Sequence, residues 1–559
     1  MPKFFFSFTL LFSRALVARF LFLGVLLGAG LLTACRRREA PVVEAARASI
    51  LIVNNATEPV SLDPHVASGA IDLRIVSGLF EGLLVNDPES LEPCLALAES
   101  HSVSENGLVH TFCLREGAQW ADGSALGAAD FLFAWERVLS PRLASPNAAM
   151  FFVVRNARAF YEGRLASFAE TGFAAPDART LRITLEHPCP HFASLICHAA
   201  WVPVPRHAIL RCGSADAPGT PWTRPENIVG NGAFALQSWK VADHIELARN
   251  PHYWNAARVR LNGVRFLAIP DSLAEERAFR SGLLHITSTV PPMKVRSRLA
   301  QTGTDEAQSL RLDPFFSTTF IRVNTRIKPL DDVRVRRALA LALHRRELAE
   351  NVMRAGETPA FSLTPPGTAG YVCTTQVPED LAEARRLLTE AGYPDGEGFP
   401  TLRYLYHTHE TSQLVAQALQ EMWSRNLGIR VELASQEWKI YKHAMVNGDY
   451  QLIRSAWSGD YPDPASFLEL FTTHSEQNQT GWSDAGYDAA IHAASQAADP
   501  VTRLAHFQEA EKRLLDSTPI IPLVHNRNKF LIRPEVRGWY PNALDIHPLS
   551  AVWLAPTEE

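Results

Sequence analysis

Most of the marks that would identify an enzyme are missing from this 559-residue chain. It contains no HExxH, no GxSxG, no phosphate-binding P-loop and no GxGxxG between a strand and a helix. Its seven cysteines form no CxxC pair, so redox and structural-zinc motifs are unsupported. A basic surplus is absent too: 54 Lys and Arg stand against 59 Asp and Glu, a net charge of −5, which argues against bulk nucleic-acid binding. No uncharged apolar run reaches the roughly 20 residues a bilayer span needs. No repeat of 20–50 residues and no low-complexity tract is visible. The best metal-like cluster, His407-Thr408-His409-Glu410, lacks a clear third ligand nearby, so no metal and no cofactor is expected.

What the chain does have begins at its N-terminus. Residues 1–19 carry Lys3, Arg14, Arg19 and no acid; residues 20–32 are uncharged and apolar. That is the pattern of a positive n-region and an h-region. Leu32-Thr33-Ala34-Cys35 then resembles a bacterial lipobox, which implies cleavage before Cys35 and lipidation of its thiol; an uncleaved anchor or a plain signal peptide is the other reading. Cleavage would leave 51 cationic against 59 anionic side chains, a net −8. Residues 36–48 read as a polar, alanine-rich tether, a solvated linker opening on Arg36-Arg37-Arg38. Six further cysteines remain. Cys94 with Cys113, and a pair among Cys189, Cys197 and Cys212, are candidate disulfides, with buried free thiols the equal alternative.

The body exceeds the roughly 250–300 residues at which a single core stops growing, so two or three lobes are expected. Ile50 to Val53 and Val109 to Leu114 read as strands, and Leu181 to Leu185 alternates as a half-buried strand does. Helices are expected over Leu73–Leu84, Asp130–Val138, Val333–Asn351 with Asp331 or Asp332 at its N-cap, Leu381–Ala391, Ser412–Asn426 and Arg503–Leu515. Strands and helices alternate throughout, which makes the class α/β. The arginines 334, 336, 337, 345 and 346 read as a solvated basic face, with a docking surface as the alternative.

A series of short motifs runs in order along the body. It includes Ser61-Leu62-Asp63-Pro64, Leu79-Phe80-Glu81-Gly82-Leu83, Trp120-Ala121-Asp122-Gly123, Gly230-Asn231-Gly232, Asn250-Pro251-His252-Tyr253-Trp254, Asp332-Val333-Arg334-Val335-Arg336-Arg337-Ala338, Ser435-Gln436-Glu437-Trp438 and Trp457-Ser458-Gly459-Asp460-Tyr461-Pro462-Asp463-Pro464. Together, over about residues 50–555, the series resembles the family 5 extracellular solute-binding proteins. Most of these motifs read as architecture, with Trp120, Tyr253 and Trp254 as core anchors.

The resemblance implies a bilobal periplasmic-binding-protein-like fold (type II, cluster C) of three domains. Domain I would comprise 49–84, 209–311 and 528–559, domain II 85–208 and domain III 312–527. It implies a monomer that captures oligopeptides between domains I and III for the permease and ATPase of an ABC importer, held by its lipid on the periplasmic side of a membrane. Asp460 would bind the ligand's α-ammonium, a cation with three donors that a fixed carboxylate suits; a turn cap before Tyr461-Pro462 is the alternative. Ala456, Trp457 and Ser458 would pair with the ligand backbone. Arg454 would meet the far carboxylate of a short peptide or stay a surface arginine. Trp438 would line the cleft or pack, and Asp72 would lie near the ligand. Three departures stand out: Ser412 and Met445 where the family type has a His and an Arg that help hold carboxylates, Ser458 in place of a Cys, and Asn147 in place of a Tyr. Other family cargoes (nickel complexes, haem, opines, sugars) and a surface-interaction role stay open.

Overall fold

The computed structural model describes residues 39–556 apart from 302, 304–307 and 498. The leader and Cys35 lie outside the described residues. No helix among those described is long and apolar enough to cross a membrane.

Two hydrophobic cores define two lobes. In the first, strand Ile50–Asn54 runs parallel to Gly263–Leu267, which continues antiparallel through His244–Arg249 to Phe234–Lys240. Four residues of Ile50–Asn54 are buried, as an apolar run covered on both faces should be. A second, antiparallel sheet takes the order Ala98–Val103, Val109–Leu114, Thr180–Thr184, Phe173–Ala174. Val109–Leu114 buries every second residue, so one face is packed and the other wet. One continuous core runs from Leu51 and Val264 through Phe80 to Phe112, Trp135 and Trp201, so both sheets belong to one lobe.

The second lobe is built on a six-stranded mixed sheet in the order Thr358–Pro359, Ile520–Leu531, Leu310–Val323, Leu452–Ser458, Leu402–His407, Val431–Gln436. Helices Val333–Leu341, Leu381–Glu390, Glu410–Leu427 and Pro500–Ser517 close its separate core.

The long strands Leu310–Val323 and Ile520–Leu531 join the lobes. Their near ends, Leu310 and Leu531, pack with Ile52 and Leu284 at the edge of the first lobe. Their far ends, Phe320 and Ile521, lie in the second core. Between these ends the register slips, from Pro314 to Thr318. Proline cannot donate to the ladder, and Phe316 N–H turns instead to the carbonyl of Ala543, 2.6 Å away. The expected boundaries at 311/312 and 527/528 therefore fall inside two continuous strands. Those at 84/85 and 208/209 fall inside strand Leu84–Asn86 and helix Arg206–Cys212.

Several family motifs prove to be lobe-internal ties. Asp63 is buried and receives Arg137 at 2.5 and 3.1 Å, Trp222 Nε1 at 3.2 Å and the His65 amide at 3.0 Å. Burial opposes its charge, but Arg137 holds the carboxyl below its ordinary range. Glu81 accepts from the Tyr253 hydroxyl and from Trp254 Nε1, which links the second and fifth motifs quoted above. Gly230 is required by contact: a Cβ there would lie 2.0 Å from the Leu79 carbonyl oxygen.

Four expectations need correction. Residues 41–47 of the supposed tether form a helix, because Val42 and Ala45, three apart, bury against the first lobe while Val42 N–H bonds to Gly282. The expected helix 333–351 stops at Leu341, capped by Asp332, and resumes at Arg345. Arg336 and Arg345 are not on a solvated face: both are buried and bonded to main-chain carbonyls of Ser517, Leu330, Pro522 and Ala340. The cysteines at 94, 113, 189, 197, 212 and 373 are all free, so neither candidate disulfide forms. Burial pushes the Cys189 and Cys197 thiols up to about 12.

Candidate ligand-binding groove

Strand Leu452–Ser458 supplies the floor of the site. One edge is fully paired with Leu310–Val323, from Val323↔Leu452 to Ser317↔Ser458. The other edge meets strand Leu402–His407 only at Tyr404↔Leu452 and Leu405↔Ile453. From Ser455 to Ser458 that edge has no strand beside it among the described residues. Ala456 and Ser458 are exposed there and Trp457 is half-buried, its indole N–H on the Ser466 carbonyl at 2.8 Å. Inside a folded sheet an unpaired edge is a template for an extended chain.

The open edge leads directly to Asp460. Gly459 is needed for the passage, since a Cβ would sit 2.2 Å from a Phe316 ring carbon. The Asp460 amide bonds to Ser466 Oγ at 2.9 Å, which fixes the turn. Its carboxylate has no hydrogen-bond or ion-pair partner among the described residues. Water reaches the side chain, yet surrounding protein desolvates it and pushes its carboxyl up to about 6. The neighbouring Tyr461 packs against the cores of both lobes, which places the turn where the lobes meet. Asp463 closes the turn: it caps the Ala465 amide and forms a two-pronged pair with Arg503, both bonds 2.8 Å.

Near the start of the open edge stands Arg454. Its Nε is buried without a partner, and no carboxylate pairs with it among the described residues. Its main-chain oxygen accepts from the Tyr441 hydroxyl. His407 and Trp438 complete the recess: His407 lies edge-on to Trp438 and Tyr441 at 5.4 and 5.6 Å, and Trp438 is 54% exposed. His407 Nδ1 and Gln436 Oε1 are likewise buried and unpartnered. Burial pushes the His407 imidazole down to about 4, helped by Arg454 and His409. Ser412 Oγ lies 3.4 Å from His407 Nε2, so a ring from the sheet fills the space beside that helix position. Met445 packs with Leu405, Tyr441 and Ile453 and offers no charge.

The structure thus gathers Asp460, Trp457, Ala456, Ser458 and Arg454 on one strand and its turn, with Trp438 beside Arg454 through His407 and Tyr441. Asp72 is placed differently. It is buried in the first lobe, and its Oδ1 accepts the Val60 amide at 2.7 Å, so it secures a loop. Tyr441, His407 and Arg503 were not legible as site residues; they reach the groove only through sheet pairing and helix packing.

A model of the bacterial extracellular solute-binding proteins, family 5, matches residues 92–479. The chain belongs to that family. It is 34% identical over 507 residues to the periplasmic oligopeptide-binding protein OppA of Escherichia coli K12, covering 89% of this chain and 91% of that one. It is 35% identical over 495 residues to the probable deoxycholate-binding periplasmic protein YgiS of the same organism, covering 87% and 90%. The structure of Haemophilus influenzae OppA in complex with RPPGFSPFR superposes with a TM-score of 0.77 at 30% identity, covering 91% of this chain and 99% of the other. As a member of family 5 the protein binds a solute; it is not an enzyme.

Proposed function

We propose that the protein captures oligopeptides in the interlobe groove and delivers them to the permease and ATPase of an ABC importer, acting as a monomer anchored by lipid at Cys35 on the periplasmic side of a membrane. One observation carries this reading: a free strand edge ends at a carboxylate that has no hydrogen-bond or ion-pair partner among the described residues. A peptide supplies both missing partners, a backbone for the edge and an ammonium for Asp460. Trp438 forms a wall, and Arg454 receives the far carboxylate of a short peptide. Because edge and ammonium are common to all peptides, recognition is indifferent to most side chains. Asp72 acts indirectly, by holding the loop at Val60.

Two tests follow from the charge on Asp460. Calorimetry with a free tripeptide and its N-acetylated form should show at least about tenfold weaker binding of the acetylated ligand, which cannot offer a charged donor. Equal affinities would remove the ammonium from the reading. The second test is pH. Only ionised Asp460 attracts the ammonium, and the bound cation lowers its pKa. Affinity contributed by this pair is therefore fully present above pH 6 and falls as pH drops through about 6, by up to about tenfold per pH unit. Asp460→Asn should flatten that dependence.

The likeness to a protein named as probably deoxycholate-binding favours a second reading, an anionic amphiphile seated against Trp438 with its carboxylate on Arg454. That ligand would leave Asp460 unpaired, which argues for peptide. Competition between deoxycholate and a tripeptide, with mass spectrometry of co-purified ligand, separates the two.

A further inference from the structure

Outside the groove, a second set of groups spans the lobes. Loop residues 186–191 of the first lobe, Glu186-His187-Pro188-Cys189-Pro190-His191, reach across to the second. The His191 ring stacks on Tyr461, centroids 4.9 Å apart and planes 4° from parallel. Its Nδ1 lies 3.1 Å from Arg503 Nη2, the same guanidinium that grips Asp463. The loop also touches the second lobe at another point, His187 meeting His492 edge-on at 6.4 Å. The two prolines fix φ on either side of Cys189, so the loop is a stiff arm rather than a loose strand of chain.

We propose that this arm is a clasp between the lobes, and that His191 is a positioning residue which sets the Asp460 turn when the groove is shut. The inference rests on the binding role proposed above but uses residues that role does not assign. Tyr461 and Asp463 are one and three residues beyond Asp460. His191 thus holds the turn from the first lobe, by a ring stack and through Arg503, while Ser466 holds it from the second. Opening the lobes breaks the stack and the Arg503 contact together, and releases the turn when the ligand must leave.

The contact requires a neutral imidazole. Arg503 can only donate, so Nδ1 accepts, and Nε2–H faces Cys189 Sγ at 3.5 Å. Burial pushes His191 down to about 4, with Asp463 opposing and Arg503 assisting. Once apart from the second lobe the ring regains an ordinary histidine pKa of about 6.5. The closed form then binds fewer protons, so this contribution to closure is complete above about pH 6.5 and is lost as pH falls towards 4. Glu469, at the same contact and pushed up to about 7 by burial and then by Asp463, works in the opposite sense. Asp463 stays ionised because Arg503 overcomes its burial. Only the difference between wild type and a His191 variant therefore isolates the ring.

Small-angle X-ray scattering on ligand-free protein tests the clasp without reference to any cargo. At pH 7.5, His191→Ala should increase the radius of gyration, and His191→Phe, which keeps the stack but not the acceptor, should fall between it and wild type. From pH 7.5 to 5 the wild type should expand more than His191→Phe. With tripeptide bound, His191→Ala should raise the dissociation rate about tenfold. A radius of gyration unchanged in His191→Ala, or a pH response shared by His191→Phe, overturns the clasp. Failure of wild type to bind any tripeptide overturns the cargo assignment instead, and the scattering comparison still decides the clasp.

Discussion

Asp460→Ala is expected to weaken binding of a free tripeptide by about 2–5 kcal/mol, the usual cost of removing one partner of a desolvated charge pair. Two features of the structure set the size. The carboxylate already bears a desolvation cost in the empty groove, which a bound ammonium offsets; without it the ammonium would be buried facing an apolar methyl group. No other carboxylate on the floor strand can substitute, because its residues from Leu452 to Gly459 contain none. Titration calorimetry at pH 7.5 measures the loss, and Asp460→Asn controls for shape. An unchanged affinity would take Asp460 out of the site. Stability of the free protein should rise slightly or stay level in both variants, since an unpaired anion contributes nothing to folding.

The second large effect concerns folding. Asp63→Ala should destabilise the first lobe by about 3–5 kcal/mol, because it strands a buried guanidinium. Arg137 is only 1% exposed at its side chain, and Asp63 is the sole carboxylate paired with it among the described residues. The Trp222 indole N–H would lose its acceptor as well. Two lobes with separate cores need not unfold together, so the readout is calorimetric: the transition of the first lobe should move down while that of the second stays put. Asp63→Asn should be milder, since an amide oxygen still accepts. Replacing Asp63 and Arg137 together by apolar residues should recover part of the loss. A single unshifted transition would contradict the role assigned to the Ser61-Leu62-Asp63-Pro64 motif.

How far the sequence carried the fold depended on the range of the interactions. Elements with local signals were placed within a few residues: Thr180–Thr184 by the alternation of Leu181 to Leu185, and Leu381–Glu390 by the Gly392 that ends it. The helix expected over 333–351 failed for a distant reason. Arg345 is drawn inward to the carbonyl of Pro522, 177 residues away, and a straight helix could not place it there. The docked helix at 41–47 went unread because only Val42 and Ala45 mark its buried side. For the site, motif order singled out Asp460 and residues 454–458, which the structure sets on one strand and the turn after it. That the edge beside Ala456 is vacant, and that His191 and Arg503 stand behind the turn, depends on contacts between segments 40 to 312 residues apart. The bond from the Val60 amide to Asp72 Oδ1 was likewise not readable from the linear chain, since it joins a helix to a loop twelve residues before it.

The two strands that cross between the lobes have a mechanical consequence. They are adjacent and antiparallel, and the register break lies in one of them opposite continuous chain in the other. A pair of neighbouring rods resists sliding and splaying but yields to a swing about the line through the break. Lobe motion is expected to follow mainly that swing. A solute lodged between the lobes would limit that swing, so the angle at rest would report whether the groove is filled.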